Sequence, residues 1–160
     1  MVGVNEKRKR DMADKVIQAC GGSVKGKTLA LLGLTFKPNT DDMRDSPSLA
    51  IIPALQAAGA QIRAFDPEGM AEAKKLMPDI GYCSNSYETM AGADALVLVT
   101  EWNEFRALDL NRVKGLLKTP TVIDLRNIYK PAEMAAAGFF YTSVGRPSSA
   151  STPAPLRNLA

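Results

Sequence analysis

The chain has 160 residues, 46% of them hydrophobic, which is enough for one globular domain with a real core and too little for two. Its 20 basic and 17 acidic residues leave a net charge of +3, too mild to argue for nucleic acid. It has no histidine and only two cysteines, Cys20 and Cys83, far apart, which excludes an ordinary zinc site and any internal mechanism that needs a histidine base.

Residues 4–20 read as a helix with a patchy apolar face of Val4, Met12, Val16, Ile17 and Cys20, closed by Gly21-Gly22. The basic run Lys7 to Arg10 fits a solvated face of that helix. The unbroken apolar run Thr28 to Leu34 suits a strand covered on both sides. A loop is expected over Thr35 to Asp45. Ser46 as N-cap and Pro47 at the first helical position then start a helix that ends at Gly59, with a kink expected at Pro53. Gln61 to Phe65 is the second strand. Asp66-Pro67 repeats the cap-plus-proline signal for a helix running to about Met77.

Tyr82-Cys83 is a weak strand, and Ser86 to Ala91 a short helix. Ala95 to Val99 is the plainest buried strand, Leu108 to Leu117 a helix, and Thr121 to Asp124 another strand. Pro131 to Ala137 is a helix closed by Gly138, and Phe139 to Val144 the last strand. Alternating strands and helices imply parallel strands with right-handed crossovers. The expected fold is α/β: a Rossmann-like open parallel six-stranded sheet with helices on both faces. From Arg146 onward Pro, Ser, Ala and Thr dominate, so 146–160 is expected to be a disordered tail. No apolar run reaches the length of a membrane span. Charge follows Met1 to Val4 at once, unlike a signal peptide, so no membrane partner and a cytoplasmic location are expected.

Ligands of an open parallel sheet bind beyond the carboxyl ends of its strands. The loops there carry Phe36, Lys37 and Arg44 after the first strand, Thr100-Glu101-Trp102 after the fourth, and Leu125-Arg126-Asn127 after the fifth. Lys37, Arg44 and Arg126 on one edge, beside a helix N-terminus at Ser46, suggest an anion site, with a nucleotide diphosphate as the natural ligand class. The commonest role of a lone loop cation is nonetheless a solvated charge, and Asp41, Asp42 and Asp45 offer Arg44 pairing partners. Adjacent Asp41 and Asp42 point apart on an extended chain, so no metal is expected. Trp102 and Phe105 can stack on a base but fit core or interface packing better. The first loop lacks Gly-x-Gly-x-x-Gly, so a dinucleotide need not lie here in the usual pose.

The segment Gly33-Leu34-Thr35-Phe36-Lys37-Pro38-Asn39-Thr40-Asp41-Asp42-Met43-Arg44-Asp45-Ser46-Pro47-Ser48 closely resembles the signature at the first strand–helix loop of the C-terminal domain of UDP-glucose and GDP-mannose dehydrogenases. Phe65-Asp66-Pro67, Thr100-Glu101-Trp102-Asn103-Glu104-Phe105 and Asp124-Leu125-Arg126-Asn127 resemble further pieces of that family in the same order, and the resemblance covers about residues 4–145.

It implies that residues 1–22 end a central-domain helix and that 23–145 form a UDP-sugar-binding domain. In the whole enzyme, UDP-glucose is oxidised at C6 to a carboxylate with two NAD molecules and a cysteine nucleophile. The resemblance places Phe36, Lys37 and Arg126 on the nucleotide sugar. Arg44 would reach NAD, which is held mainly by an N-terminal domain absent from these residues. It further implies a homo-oligomeric full enzyme. Neither Cys20 nor Cys83 has the context of the family nucleophile, so both read as structural, no catalytic residue is expected here, and the chain by itself should be inactive. GDP-mannose and UDP-N-acetylmannosamine dehydrogenases remain alternatives within the family. A non-catalytic assembly domain is the alternative outside that chemistry.

Overall fold

The computed structural model describes residues 2–35, 46 and 48–143. Thirteen elements follow one another: α1 Val2–Ala19, β1 Thr28–Leu32, α2 Ser48–Ala57, β2 Gln61–Phe65, α3 Met70–Leu76, β3 Gly81–Tyr82, α4 Ser86–Met90, β4 Ala95–Leu98, α5 Asn103–Arg106, α6 Leu110–Leu116, β5 Thr121–Asp124, α7 Pro131–Ala136 and β6 Phe140–Ser143. All strands pair in parallel, in the order β3-β2-β1-β4-β5-β6. That is the strand order of a doubly wound dinucleotide-binding sheet. The strand order reverses at β1/β4, so the crevice of such a sheet opens between the loops that follow these two strands.

Parallel strands buried on both sides alternate their side chains between two cores. Leu29 and Leu31 of β1, Ala95 and Val97 of β4 and Ile123 of β5 face an aliphatic core closed by Ile51, Ile52 and Leu55 of α2 and by Ala13 and Val16 of α1. Ala30 and Leu32, Leu96 and Leu98, and Val122 face the other side, where Phe65, Trp102, Phe105, Tyr129, Phe139 and Tyr141 gather.

Several boundaries depart from the expected ones. β1 stops at Leu32, because Gly33 takes φ +99 and lies so close to Thr100 that a Cβ there would sit 2.5 Å from the Thr100 Cβ. The helix expected from Asp66-Pro67 starts only at Met70, after a turn over 67–69 that Asp66 caps through Oδ1, which accepts from the N–H groups of Glu68 and Gly69. α5 was not expected at all. α6 starts at Leu110, capped by Asp109, whose Oδ1 accepts from the N–H groups of Asn111 and Arg112. α2 continues across Pro53, which denies the Leu49 carbonyl its in-helix donor. No helix among the described residues is long and apolar enough to cross a membrane. The tail 146–160 lies outside them.

Candidate functional site at the carboxyl edge

The loop after β1 leaves and re-enters the sheet at one spot. At its start, the Leu34 N–H donates to Asp66 Oδ2 at 2.7 Å and the Thr35 N–H to the same oxygen at 3.1 Å. The Thr100 hydroxyl, fully buried after β4, donates to the Thr35 carbonyl at 2.7 Å. At its end, the hydroxyls of Ser46 and Ser48 both donate to the Leu34 carbonyl, at 2.5 and 2.7 Å. Ser46 therefore does stand at the head of α2, as its cap signal suggested, but its hydroxyl also staples the loop to β1. Phe36, Lys37 and Arg44 belong to this loop and lie outside the described residues. What the structure fixes is where their loop is anchored: at the carboxyl edge, at the switch point between β1 and β4.

Arg126 is described. It follows β5, half-buried, and its guanidinium donates to Glu101 Oε1 at 2.8 Å, while Glu101 Oε2 lies 3.5 Å from Arg106. Its backbone is set by Asp124, which is fully buried. Asp124 Oδ1 accepts from the Arg126 N–H at 3.1 Å, and Oδ2 accepts from the Tyr129 N–H at 2.9 Å. The Tyr141 hydroxyl lies 2.6 Å from the same Oδ2. Asn127 supplies the left-handed residue of the turn at φ +56, a conformation asparagine tolerates better than most. The Tyr129 hydroxyl donates to the Phe105 carbonyl, and burial, reinforced by the Asp124 charge, pushes its pKa well above the tyrosine range. The Asp-x-Arg-Asn sequence is thus a buried anchor, a projecting cation and a turn residue.

Asp66 is the residue that strand-edge reasoning undervalued. It is fully buried at the end of β2, in the place where an N-cap was expected. Besides Leu34 and Thr35, its Oδ2 accepts from the Thr35 hydroxyl at 3.2 Å and the Trp102 indole N–H at 3.3 Å. Oδ1 accepts from the N–H groups of Glu68 and Gly69 at 2.9 and 2.7 Å. Gly69 is needed for this approach, since a Cβ there would lie 2.4 Å from the Thr35 methyl. Trp102 and Phe105 are core residues rather than exposed stacking platforms.

Three sequence expectations concern dinucleotide, thiol and metal chemistry. A dinucleotide has no cradle among the described residues: the first loop opens Gly33-Leu34-Thr35, without the glycine pattern, and Asp66, in the place of a ribose-binding carboxylate, is occupied by protein donors. Cys20 and Cys83 are half-buried free thiols. Burial, more than the opposing charge of Lys27, pushes the Cys20 thiol up, the wrong direction for a nucleophile. Among the described residues, no group of three or more Cys, Asp or Glu side chains is placed to hold a metal ion.

Residues 30–131 match the UDP-glucose/GDP-mannose dehydrogenase family, UDP binding domain. The UDP-glucose 6-dehydrogenase of Rhizobium meliloti is 58% identical over 91% of this chain, and UDP-glucose 6-dehydrogenase TuaD of Bacillus subtilis 43% identical over 92%. This chain spans only 33% and 32% of those two relatives, about a third of their length. Among solved structures, an NDP-N-acetyl-D-galactosaminuronic acid dehydrogenase from Methanosarcina mazei superposes with a TM-score of 0.79 at 28% identity, over 90% of this chain and 30% of that one. A UDP-glucose dehydrogenase from Pyrobaculum islandicum shares the fold with a TM-score of 0.73 at 24% identity, over 88% and 30%. The matched span runs from the middle of β1 to the start of α7 and takes in both anchored loops, so the chain belongs to the UDP-glucose/GDP-mannose dehydrogenase family and carries its UDP binding domain.

Proposed function

We propose that this chain is the nucleotide-sugar-binding part of an NAD-dependent UDP-glucose 6-dehydrogenase, which converts UDP-glucose, two NAD and water to UDP-glucuronate and two NADH. The observation that carries the reading is that the start of the loop bearing Lys37 and the Arg126 turn both bond to the loop after β4, through Thr100 and Glu101, within a chain 58% identical to a UDP-glucose 6-dehydrogenase. Lys37 and Arg126 neutralise the diphosphate, the lysine as a point charge and the arginine through a planar fork with donors beyond the one given to Glu101. Phe36 packs beside the nucleotide sugar.

NAD accepts the two hydrides when bound. It is held mainly outside these residues, and Arg44 is the group that reaches towards it. Residues 1–22 end a central helix, 23–145 form the binding domain and 146–160 a tail. The full enzyme is a homo-oligomer working in the cytoplasm. This chain supplies one wall of a composite site, and neither Cys20 nor Cys83 serves as nucleophile, so it does not oxidise UDP-glucose by itself.

Calorimetric titration with UDP, UDP-glucose, GDP, GDP-mannose and UDP-N-acetylmannosamine tests the reading. UDP and UDP-glucose are expected to bind, weaker than about 1 μM because a wall of the pocket and its preorganisation are missing. Arg126→Ala and Lys37→Ala should each weaken binding by about tenfold, the scale of one charge-assisted contact. Preferential GDP binding would move the assignment to the GDP-mannose branch, and indifference to both substitutions would leave an assembly role.

A further inference from the structure

We infer that Asp66 is the positioning residue of the nucleotide loop: the carboxylate that a sheet of this strand order offers to a ribose is turned inward here and fixes the loop instead. In the 3-2-1-4-5-6 sheet the acid near the end of the second strand ordinarily stands free to take the ribose hydroxyls of a dinucleotide. Asp66 occupies that end of β2, yet it is fully buried, and three loops donate to it: Leu34 and Thr35 after β1, Glu68 and Gly69 after β2, and Trp102 after β4. A carboxylate has roughly four lone pairs, and these donors use them all.

The consequence has two sides. The loop that carries Lys37 departs from a point held by charge-assisted bonds to two successive backbone N–H groups, with Thr100 clamping the next carbonyl. Leu34 and Thr35, from which the loop departs, are therefore held before any ligand arrives, which spares binding part of its ordering cost. The same bonds take away the ribose acceptor. Among the described residues, this edge then leaves no free carboxylate at the end of β2 for the adenosine ribose of NAD.

The inference rests on the nucleotide reading above, and its test separates the two. Asp66→Asn puts an amide donor against one set of N–H groups, either the Leu34–Thr35 pair or the Glu68–Gly69 pair. Trp102→Phe removes only the indole bond and covers the case in which Asp66→Asn fails to fold. Val113→Ala, a truncation of a fully buried α6 side chain, serves as the control for general destabilisation.

Amide hydrogen exchange and calorimetric titration with UDP and with NAD are run on the three variants and the parent chain. Asp66→Asn should speed exchange at Leu34, Thr35, Glu68 and Gly69 and weaken UDP binding by about tenfold or more. Trp102→Phe should shift both in the same direction by less, and Val113→Ala should leave UDP affinity unchanged. NAD should bind none of the four chains in competition with UDP. Unchanged exchange in Asp66→Asn and Trp102→Phe, unchanged UDP affinity in both, or an equal loss in Val113→Ala would each overturn the role given to Asp66. A parent chain that takes up no UDP at all would instead overturn the nucleotide reading, and the exchange results alone would then decide whether Asp66 fixes the loop.

Discussion

The two faces of the sheet are built from different chemistry. The face under α1 and α2 is a core of Leu, Ile, Val, Ala and Met with no buried aromatic residue among its members. The opposite face holds Phe65, Trp102, Phe105, Tyr129, Phe139 and Tyr141. Phe65 and Phe105 meet edge-to-face at 6.5 Å. Three of these rings carry a polar handle, and each handle reaches the carboxyl edge or an element leading to it: Trp102 to Asp66, Tyr141 to Asp124, and Tyr129 to the Phe105 carbonyl. Aliphatic side chains supply burial without direction, whereas Trp and Tyr bury a large ring and aim one donor. The first face holds the sheet together; the second also ties the sheet to the loops that would touch a nucleotide.

The comparison breaks if damage to the aliphatic face reaches the edge. Leu31→Ala removes a fully buried side chain from that face and should cost about 2–5 kcal/mol in chemical denaturation. UDP affinity, measured where the variant is still folded, should not change. Tyr141→Phe is the opposite case. It keeps the ring and deletes the hydroxyl beside Asp124 Oδ2, a bond to a charged group worth about 1.5–3 kcal/mol. Here UDP binding should weaken together with stability, because Asp124 holds the Arg126 backbone. Loss of affinity in Leu31→Ala but not in Tyr141→Phe would reverse the assignment of the faces.

Alkaline pH sharpens the same contrast. Burial pushes Tyr82, whose hydroxyl donates to the Met77 carbonyl at 2.7 Å, up to about 12, and Tyr129 is raised further by burial and by Asp124. Both folded values exceed the unfolded value of about 10, so the stability they contribute is complete below about pH 10 and is lost as pH rises through the folded values. The denaturation midpoint should hold up to about pH 10 and fall above it. Tyr82→Phe should remove the part of that fall that lies between about pH 10 and pH 12, leaving the part due to Tyr129 on the aromatic face.

The aliphatic face was readable because repetition carries it. Leu29 and Leu31, and Ala95 and Val97, lie in short apolar runs, and α/β alternation follows from such local patterns. The edge was readable only in part. Arg126 emerges from its place just past a buried strand. Asp66 emerges only in half: an aspartate before proline reads as a cap, which its Oδ1 is, whereas the role of Oδ2 lies with partners more than thirty residues away. α5 is four residues long, too short for any period to show. Glu101, Thr100 and Asp124 stood inside motifs that pointed to the family, but the work of each is a contact between loops of different strands.

Glu101 offers the smallest and most discriminating effect. Its carboxylate holds Arg126 at 2.8 Å, with both side chains about one-third exposed. An ion pair so open to solvent contributes about 0.2–1 kcal/mol, so Glu101→Gln should leave the denaturation midpoint nearly unchanged. Its effect on binding has the other sign from those of Tyr141→Phe, Arg126→Ala and Lys37→Ala. An incoming diphosphate and Glu101 compete for one guanidinium, and the amide of glutamine competes less. Releasing 0.2–1 kcal/mol of that competition corresponds to about a 1.4- to 5-fold gain in UDP affinity, largest at low ionic strength. A weaker rather than tighter complex would mean that Glu101 orients Arg126 for the ligand, and the Arg126 turn would then owe its geometry to the β4 loop as much as to Asp124 and the aromatic face.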